Sequence, residues 1–290
     1  MAFLNVEQVD LRAENVDRIV KGFALQEYKF KQLCMINSSS AWIETYYQEN
    51  ADELAGGVQD SIRGIPRLAA FTNLEPNWQK LSSYIEKYGG QGVVSYEEEI
   101  TAAIDVIART FLRISRAVAK AVDDQIWSVI SESQTASTIN SVSITAGNEW
   151  DSATVANRDP IQNILNAVRE ILKYNYSRDS LFLLVSPTDY ANLLGNSKIS
   201  NNASFKAADV VANGRVASLL GLQIIESNSV TADYSLVIKG QEAATWKSVK
   251  PLTTETINDP GIKKTIRAWE MGVTQLINPR AVTLISNTQA

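Results

Sequence analysis

The residue types that most enzymes use for acid–base and metal chemistry are scarce in this sequence. Its 290 residues include no histidine and a single cysteine, Cys34. Histidine is the commonest general base and the commonest ligand of transition metals, so Ser-His-Asp catalysis, Cys-His catalysis and histidine-based zinc sites are excluded. One cysteine forms no intrachain disulfide, and we expect Cys34 to be a small buried apolar residue.

The short motifs of phosphate and nucleophile chemistry are missing as well. The sequence contains no Gly-x-x-x-x-Gly-Lys-Ser/Thr loop and no Ser-x-x-Lys motif. Residues 89–92, Gly-Gly-Gln-Gly, do not continue as a dinucleotide fingerprint, and we interpret them as a turn. We therefore predict no catalytic residue, no cofactor and no metal site. An enzyme that uses paired carboxylates stays open, because that chemistry needs no histidine.

The charge balance gives no sign of a surface built for phosphate contacts. Lys and Arg number 27 against 32 Asp and Glu, so the formal net charge is −5. Proteins that hold nucleic acid normally show a basic patch or stripe, and none is visible along the linear sequence. The longest uninterrupted apolar run, Leu181–Val185, is too short to span a membrane, so we expect no membrane partner.

Two unusual stretches open the chain. Apolar residues recur at roughly helical spacing over residues 5–33, which predicts an amphipathic helix. Residues 37–80 contain strand-forming aromatic residues at each end and several glycines and prolines between them. This second stretch predicts a long two-stranded excursion with an irregular tip. Connections of that length are uncommon in compact domains and are usually functional.

The clearest predicted element is a helix over residues 96–131. Ser95 and Glu98 form a capping box, and the acidic run at residues 97–99 suits the positive start of a helix better than a metal site. Apolar residues then follow in steps of three and four, and charged residues from Asp105 to Asp123 occupy the opposite face. Because the steps do not hold a strict heptad, we expect this helix to lie across a sheet rather than in a coiled coil.

Helices and strands mix in the second half of the chain. Asp159 and Pro160 predict the start of a helix, and Leu181–Val185 predicts a strand buried on both faces. A further helix is predicted from Ser186 through Leu194. Short strands are predicted at residues 139–144, 222–226, 234–239, 253–257, 264–271 and 281–285. The fold class is therefore α+β or mixed α/β, in two interleaved parts.

The order of these elements resembles the Hong Kong 97-type fold of tailed-bacteriophage major capsid proteins. That fold has an N-terminal arm, a long hairpin, a very long helix, a smaller α/β unit and returning strands. Local stretches that resemble family segments are residues 159–165, 183–190, 214–226, 267–273 and 278–282. No single stretch is specific, but the ordered set covers essentially the whole chain.

The resemblance implies a division into four regions. These are an N-terminal arm (1–36), an extended hairpin loop (37–80), a peripheral domain with its spine helix (81–155 and 249–275; helix 96–131) and an axial domain (156–248 and 276–290). It also implies a function in assembly rather than in catalysis. Subunits would form pentamers and hexamers of an icosahedral virion shell, assembled in the host cytoplasm around double-stranded DNA that is not bound in a sequence-specific way.

The resemblance also names the expected partners and contact residues. The main partner is the chain itself, and a separate scaffolding protein, a portal protein and a decoration protein are further candidates. Tyr, Trp and Arg are enriched at interface hot spots. On that basis we expect contacts between subunits at six residues of the hairpin loop: Trp42, Tyr46, Tyr47, Arg63, Arg67 and Trp78. For the two tryptophans, a second interpretation is that they pair across the hairpin and stabilise it internally.

A covalently locked shell is not expected. Some relatives join subunits through a Lys–Asn bond whose lysine lies on the hairpin loop, but here no lysine lies between Lys31 and Lys80. Denaturing electrophoresis of mature particles should therefore show a monomer of 31.9 kDa rather than a ladder. The alternatives that remain open are an encapsulin-type shell around cargo and, further away, a carboxylate-dependent enzyme or metabolite-binding domain.

Overall fold

The structure, a computed structural model, describes residues 28–49, 64–71, 78–101, 105–200 and 218–290. Its described residues fall into two compact units. The smaller unit contains Tyr28, residues 86–122 and residues 250–272, and the larger unit contains residues 29–85, 123–249 and 273–290. The predicted arm, hairpin-loop, peripheral and axial regions are a different division of the chain and stay a prediction.

The described elements alternate between helix and strand along the chain. The helices are α1 (Tyr96–Thr101), α2 (Val106–Ile130), α3 (Pro160–Leu172), α4 (Pro187–Gly195) and α5 (Ser197–Ser200). The strands are β1 (Met35–Ser38), β2 (Ile43–Gln48), β3 (Gln79–Tyr84), β4 (Glu86–Ser95), β5 (Asn140–Ser143), β6 (Leu181–Val185), β7 (Ser218–Leu219), β8 (Leu222–Glu226), β9 (Tyr234–Lys239), β10 (Ala244–Asp259), β11 (Lys263–Leu276) and β12 (Val282–Ser286). None of the helices in the described ranges combines the length and the apolar composition that a membrane span requires.

In the smaller unit, a helix packs across a sheet as predicted. β4 and β11 run antiparallel, and their inward side chains meet the apolar stripe of α2. The buried residues of this contact are Val94, Phe111, Ile114, Val118, Ile266 and Ala268. The predicted helix over 96–131 is described as α1 and α2, and residues 102–104 lie outside the described part of the chain. Ile100, which the spacing placed in the buried stripe, is 63% exposed on α1.

The turn predicted at residues 89–92 is wrong, because these residues lie inside β4. Gly89 stands directly opposite Trp269 on β11, and a Cβ atom at position 89 would lie only 2.8 Å from the Trp269 Cβ. At Gly92 a Cβ atom would lie 2.2 Å from Cγ2 of Thr110 on α2. Gly89 therefore allows close approach of β4 and β11, Gly92 allows close approach of β4 and α2, and neither glycine reverses the chain.

The larger unit is built on a six-stranded sheet with the order β5-β12-β9-β6-β8-β7. β9 is antiparallel to both β12 and β6, whereas β6 and β8 are parallel. β6 thus has a partner on each edge, and four of its five residues are buried. The core of this unit includes Trp150, Ile164, Ile171, Leu183, Leu193 and Val237. The continuous apolar run in the sequence correctly predicted a doubly covered strand.

The predicted helix starts in the larger unit are confirmed by their caps. The Asp159 carboxylate accepts a hydrogen bond from the Gln162 N–H at 3.3 Å, and Pro160 occupies the first turn of α3. The Ser186 hydroxyl accepts a hydrogen bond from the Asp189 N–H at 3.1 Å at the start of α4. Each cap satisfies a backbone donor that the first helical turn leaves without a partner.

The helix predicted over residues 5–33 lies mostly outside the described residues, which begin at 28. Its last part is wrong, because Lys31–Leu33 form only a single 3₁₀ turn before β1. The N–H groups of Lys29 and Phe30 donate to the carboxylate of Asp123 instead of to preceding helical carbonyls. A long-range polar contact therefore replaces the local helix at this point.

Candidate assembly surfaces

The hairpin of β2 and β3 separates its side chains cleanly between two faces. Ile43 pairs with Tyr84 and Gln48 pairs with Gln79, in antiparallel register. Successive side chains of a strand point to opposite faces. The outer hairpin face, which carries Ile43, Thr45, Tyr47, Lys80, Ser82 and Tyr84, is exposed at every position. Tyr84 is 64% exposed, Tyr47 53% and Ile43 48%.

The opposite face of the hairpin is anchored to the larger unit. The side-chain amide of Gln48 donates to the Leu276 carbonyl at 3.1 Å. The side-chain amide of Gln275 donates to the Ser83 hydroxyl at 2.8 Å. Burial also raises the pKa of Tyr46, which lies on this inner face. These contacts hold the hairpin in place while its outer face stays open, which is the arrangement expected of a docking surface.

The six predicted contact residues differ in their positions and exposure. Trp42 is 63% exposed before β2, Trp78 is 47% exposed before β3, and Arg67 is exposed in the described part of the loop. Tyr47 lies on the outer hairpin face and Tyr46 on the inner one. Arg63 lies outside the described residues, and a contact with another subunit at any of the six residues stays a prediction.

The two tryptophans do not pair across the hairpin. Trp42 precedes the Ile43–Tyr84 pair, whereas Trp78 precedes the Gln48–Gln79 pair at the opposite end. Trp78 instead meets Tyr47, with ring centroids 6.4 Å apart and ring planes at 74°. This edge-on contact is a favourable geometry for aromatic rings. The interpretation of an internal Trp–Trp pair is therefore wrong.

Several exposed apolar residues of this region were missed by sequence analysis. Ile43 and Tyr84 face each other on the outer hairpin face, and strict alternation along the two strands would have found them. Leu68 is fully exposed and has a φ angle of 70°, and Phe71 is 85% exposed. No periodic pattern marks these last two positions, because they lie outside regular strands.

A second apolar surface lies at one end of the smaller unit. Its members are Val93, Tyr96, Ile100 and Ile262, which are between 47% and 66% exposed. The Tyr96 N–H donates to the Ile262 carbonyl at 3.0 Å and ties the β10–β11 turn to the start of α1. Lys264 and Glu99 form an ion pair beside it. Clustered exposed apolar side chains with charges at the rim are typical of protein interfaces.

Asp123 is a positioning residue that the sequence misplaced. The helical spacing put it on the charged outer face of α2, but it is only 3% exposed. Its carboxylate accepts hydrogen bonds from the N–H groups of Lys29 at 2.9 Å and Phe30 at 3.2 Å. Burial raises the pKa of Asp123 from 3.8 to about 6, and the N–H donors oppose that rise only in part. Asp123 therefore fixes the chain just after the N-terminal stretch.

Asp189 is a second buried carboxylate, and its oxygens are fully used within the larger unit. It accepts hydrogen bonds from the Ser186 hydroxyl at 3.0 Å, the Thr288 hydroxyl at 3.1 Å and the Gln289 amide at 3.1 Å. Burial raises the pKa of Asp189, and these donors oppose the rise. The group fastens the last described residues to the start of α4, which is a structural role.

The single cysteine behaves as predicted. Cys34 is 3% exposed, and burial, together with the nearby negative charge of Asp123, raises the pKa of its thiol to about 12. A neutral buried thiol is neither a nucleophile nor a metal ligand at neutral pH. Among the described residues, no three His, Cys, Asp or Glu side chains are grouped closely enough to hold a metal ion.

Comparison with known families identifies the family to which the chain belongs. The family model described as phage capsid protein matches residues 79–285. The chain belongs to the phage capsid protein family. This capsid protein is a structural protein of the virion, and as a major capsid protein it forms the icosahedral shell. No curated protein matches it significantly.

Solved structures confirm the fold predicted for this capsid protein. A capsid structure of the cyanophage P-SCSP1u matches with a TM-score of 0.66 at 15% identity, covering 89% of this chain and 87% of that chain. A structure described as Mycobacterium phage Che8 matches with a TM-score of 0.62 at 18% identity, covering 90% and 92%. A virus-like particle from Pyrococcus furiosus matches with a TM-score of 0.63 at 12% identity, covering 94% and 98%. The Hong Kong 97-type capsid fold is thus confirmed.

Proposed function

We propose that this capsid protein assembles through pentamers and hexamers into a closed shell around the double-stranded DNA of a tailed phage. Assembly takes place in the host cytoplasm, and the chain performs no catalysis. A scaffolding protein, a portal protein and a decoration protein are candidate partners. The observation that carries the proposal is the outer hairpin face, which is anchored from behind and leaves Ile43, Tyr47 and Tyr84 exposed.

The energetic argument starts from the apolar area that an unassembled subunit leaves in water. Burying apolar surface stabilises an interface by about 25 cal/mol per Å². Neighbouring copies that cover the outer hairpin face and the second apolar surface, formed by Val93, Tyr96, Ile100 and Ile262, would recover this free energy at two separate places on each subunit. In a closed shell, one subunit leaves only when all its contacts break together, so interfaces of ordinary strength add up to a durable particle.

A non-enzymatic role fits the charged groups of the described residues. Asp189 is saturated by hydroxyl and amide donors, and Asp123 by backbone N–H groups. Neither carboxylate lies beside a second acid in a cleft, as hydrolysis by paired carboxylates requires. The phage assignment is favoured over an encapsulin-type shell because the family matched is that of phage capsid proteins.

Electron microscopy of hairpin variants tests the proposal. Replacing Ile43 and Tyr84 together by Thr removes two facing apolar side chains but keeps good strand formers. We expect a soluble, folded subunit that makes few or no closed shells in negative stain. Ser82→Thr, which changes the same face without removing an apolar side chain, should assemble normally. Normal shells from the double variant would remove the outer hairpin face from the proposal.

The two arginines of the hairpin loop are tested in the same way. Replacing Arg63 and Arg67 together by Gln should also give a folded subunit that fails to form shells, because Arg is a frequent interface anchor. Sedimentation velocity separates subunits from particles in each sample. DNA associated with purified particles distinguishes a phage shell from a cargo compartment.

A further inference from the structure

Charge is separated by face along the β4–β11 ladder of the smaller unit. Residues with even numbers, such as Ile266 and Ala268, pack toward α2, and the acids Glu86 and Glu270 share their parity. The odd-numbered face carries no acidic residue on either of these two strands, since its members are Lys87, Gly89, Gln91, Val93 and Ser95 opposite Met271, Trp269, Arg267, Thr265 and Lys263. Strand alternation thus builds a positive face that is invisible in the linear order of charges.

Three cationic side chains of this unit lie near Trp269. The Lys87 ammonium lies 5.6 Å and the Lys250 ammonium 5.5 Å from the centroid of the Trp269 ring. Both distances are within the range of cation–π attraction. Arg267 lies two residues from Trp269 on the same face, and its Nε donates to Oε1 of Gln91 at 3.2 Å. We call Lys87, Lys250 and Arg267 the basic patch.

A concave site opens beside the basic patch. Its volume is about 380 Å³, and its lining includes Lys87, Gly89, Gly90, Gln91, Arg267 and Trp269. Gly89 and Gly90 contribute only backbone to this lining, and a side chain at position 89 would collide with the Trp269 Cβ. An anionic chain can therefore approach the site without meeting a side chain at these two positions.

We propose that the basic patch binds phosphodiester groups of duplex DNA without reading its sequence. This inference rests on the proposed function only for the presence of DNA inside the shell. Lysine and arginine neutralise phosphates through charge and N–H donors, and binding of this kind releases counterions and weakens steeply with salt.

The shape of the patch favours a phosphate backbone over a single carboxylate. Its cations are distributed around a ring and over two neighbouring strands, β4 and β11, with Lys250 added from β10. A duplex presents a closely spaced row of negative charges, so several cations are neutralised at once. Lys263, further along the ladder, already has Asp259 at 3.9 Å, and Glu255 on β10 is an exposed acid of the same unit, which keeps the affinity of one subunit low.

Weak binding by each subunit is compatible with the overall charge of −5. Many copies in one shell would multiply the contacts with one DNA molecule, whereas an unassembled subunit would bind only at low salt. The acidic wall otherwise repels DNA, so the patch would limit contact to a defined place on each subunit.

Salt-dependent binding of a short fluorescent duplex to the full-length protein tests the proposal. For three neutralised phosphates, the logarithm of the binding constant should fall against the logarithm of salt with a slope of about −2.7. Changing Lys87, Lys250 and Arg267 together to Gln should abolish detectable binding of the duplex at low salt. Arg267→Lys alone keeps the charge and should keep the slope.

A charge-matched control separates the patch from general electrostatics. Arg169, Lys173 and Lys198 are exposed cations of the larger unit. Changing these three to Gln alters net charge equally and should leave the slope unchanged. Equal losses in both triple variants would overturn the proposal.

The alternative ligand for the basic patch is an acidic segment of a second subunit. A synthetic peptide of residues 49–63, which carries Glu49, Asp52, Glu53 and Asp60, should not displace the duplex. If the peptide binds at the basic patch and the duplex does not, the patch is a protein interface and the proposal is wrong. Shell formation by the same variants, scored by electron microscopy, keeps this result distinct from the test of the proposed function.

Discussion

The six-stranded sheet and the β2–β3 hairpin belong to the same unit but treat apolar residues in opposite ways. In β6, Leu183, Leu184 and Val185 are completely buried, with a strand on each edge and helical residues such as Ile164 and Leu193 in the same core. In the hairpin, Ile43, Tyr47 and Tyr84 are about half exposed on a regular strand face. Both regions have good strand formers, so strand propensity does not explain the difference.

The difference in exposure follows from how many faces of each sheet are covered by other parts of the chain. The sheet is covered by other parts of its own chain, whereas the hairpin is covered on its inner face only, through Gln48 and Ser83. A two-stranded hairpin alone is marginally stable in water. The sheet is therefore complete within the subunit, and we propose that the hairpin is completed by neighbouring copies in the shell.

The largest effect should come from a cavity in the six-stranded sheet. Leu183→Ala should lower the free energy of unfolding of the unassembled subunit by about 2–5 kcal/mol, because its surroundings collapse only in part. Tyr84→Thr on the outer hairpin face should cost less than about 0.5 kcal/mol. Urea denaturation followed by tryptophan fluorescence measures both. Equal losses would mean that the hairpin is part of the subunit core.

A pH titration should reveal the buried charge of the larger unit. The pKa of Asp123 is raised from 3.8 to about 6 in the folded protein, so the folded state holds the proton more tightly. Its contribution to stability is complete below pH 3.8 and is lost as the pH rises through about 6. The shift corresponds to at most about 3 kcal/mol. Relative to Asp123→Asn, the wild type should become less stable across this range.

The neighbouring acid is the control for that titration. Asp124 follows Asp123 on α2 but is exposed. Asp124→Asn should keep most of the pH dependence of the wild type, because burial is the main cause of the raised pKa of Asp123 and the charge of Asp124 adds the least. An unchanged pH profile in Asp123→Asn would contradict the role of Asp123 at the root of the N-terminal stretch.

The carboxylate network at α4 should give an intermediate effect. Asp189→Ala leaves the donors of Ser186, Thr288 and Gln289 without their acceptor and should cost about 1–3 kcal/mol in the free energy of unfolding. Glu44→Ala, which changes a carboxylate on the hairpin, should cost less than about 1 kcal/mol because it is partly solvated. Similar costs for the two variants would erase the contrast between sheet and hairpin.

The smallest effect should come from the aromatic pair of the hairpin. A double-mutant cycle on Tyr47 and Trp78 should give a coupling energy of about 0.5–1 kcal/mol in the unassembled subunit. If these residues contact neighbours, Trp78→Ala should impair shell formation far more than it destabilises the subunit. A loss of shell yield no greater than the loss of subunit stability would confine Trp78 to an internal role.

Much of the fold could be predicted because its signals are local. The capping box at Ser95 and Glu98 is present as predicted, with hydrogen bonds in both directions. The stripe through Phe111, Ile114 and Val118 faces a sheet as its spacing indicated. Strand-forming aromatic residues at each end of residues 37–80 also predicted the two strands that pair as β2 and β3. Caps, helical periodicity and strand alternation depend on residues a few positions apart.

The assembly surfaces could be predicted only in part. Tyr47 and Trp78 were chosen for their residue types, whereas Leu68 and Phe71 carried no pattern that marked them as exposed. The basic patch was invisible, because Lys87 and Arg267 lie far apart in the chain and come onto one face only through strand pairing. The predicted turn at residues 89–92 failed for the same reason, since Trp269 explains those glycines from the opposite strand.

The sequence by itself determined where most of the described helices and strands lie, and its lack of histidine excluded whole classes of catalysis. Only the tertiary structure decided that Asp123 is buried, that Ile100 is exposed and that three scattered cations share one face. The physical reason is that local propensity acts through neighbouring residues, whereas burial and electrostatic potential depend on which distant segments pack together.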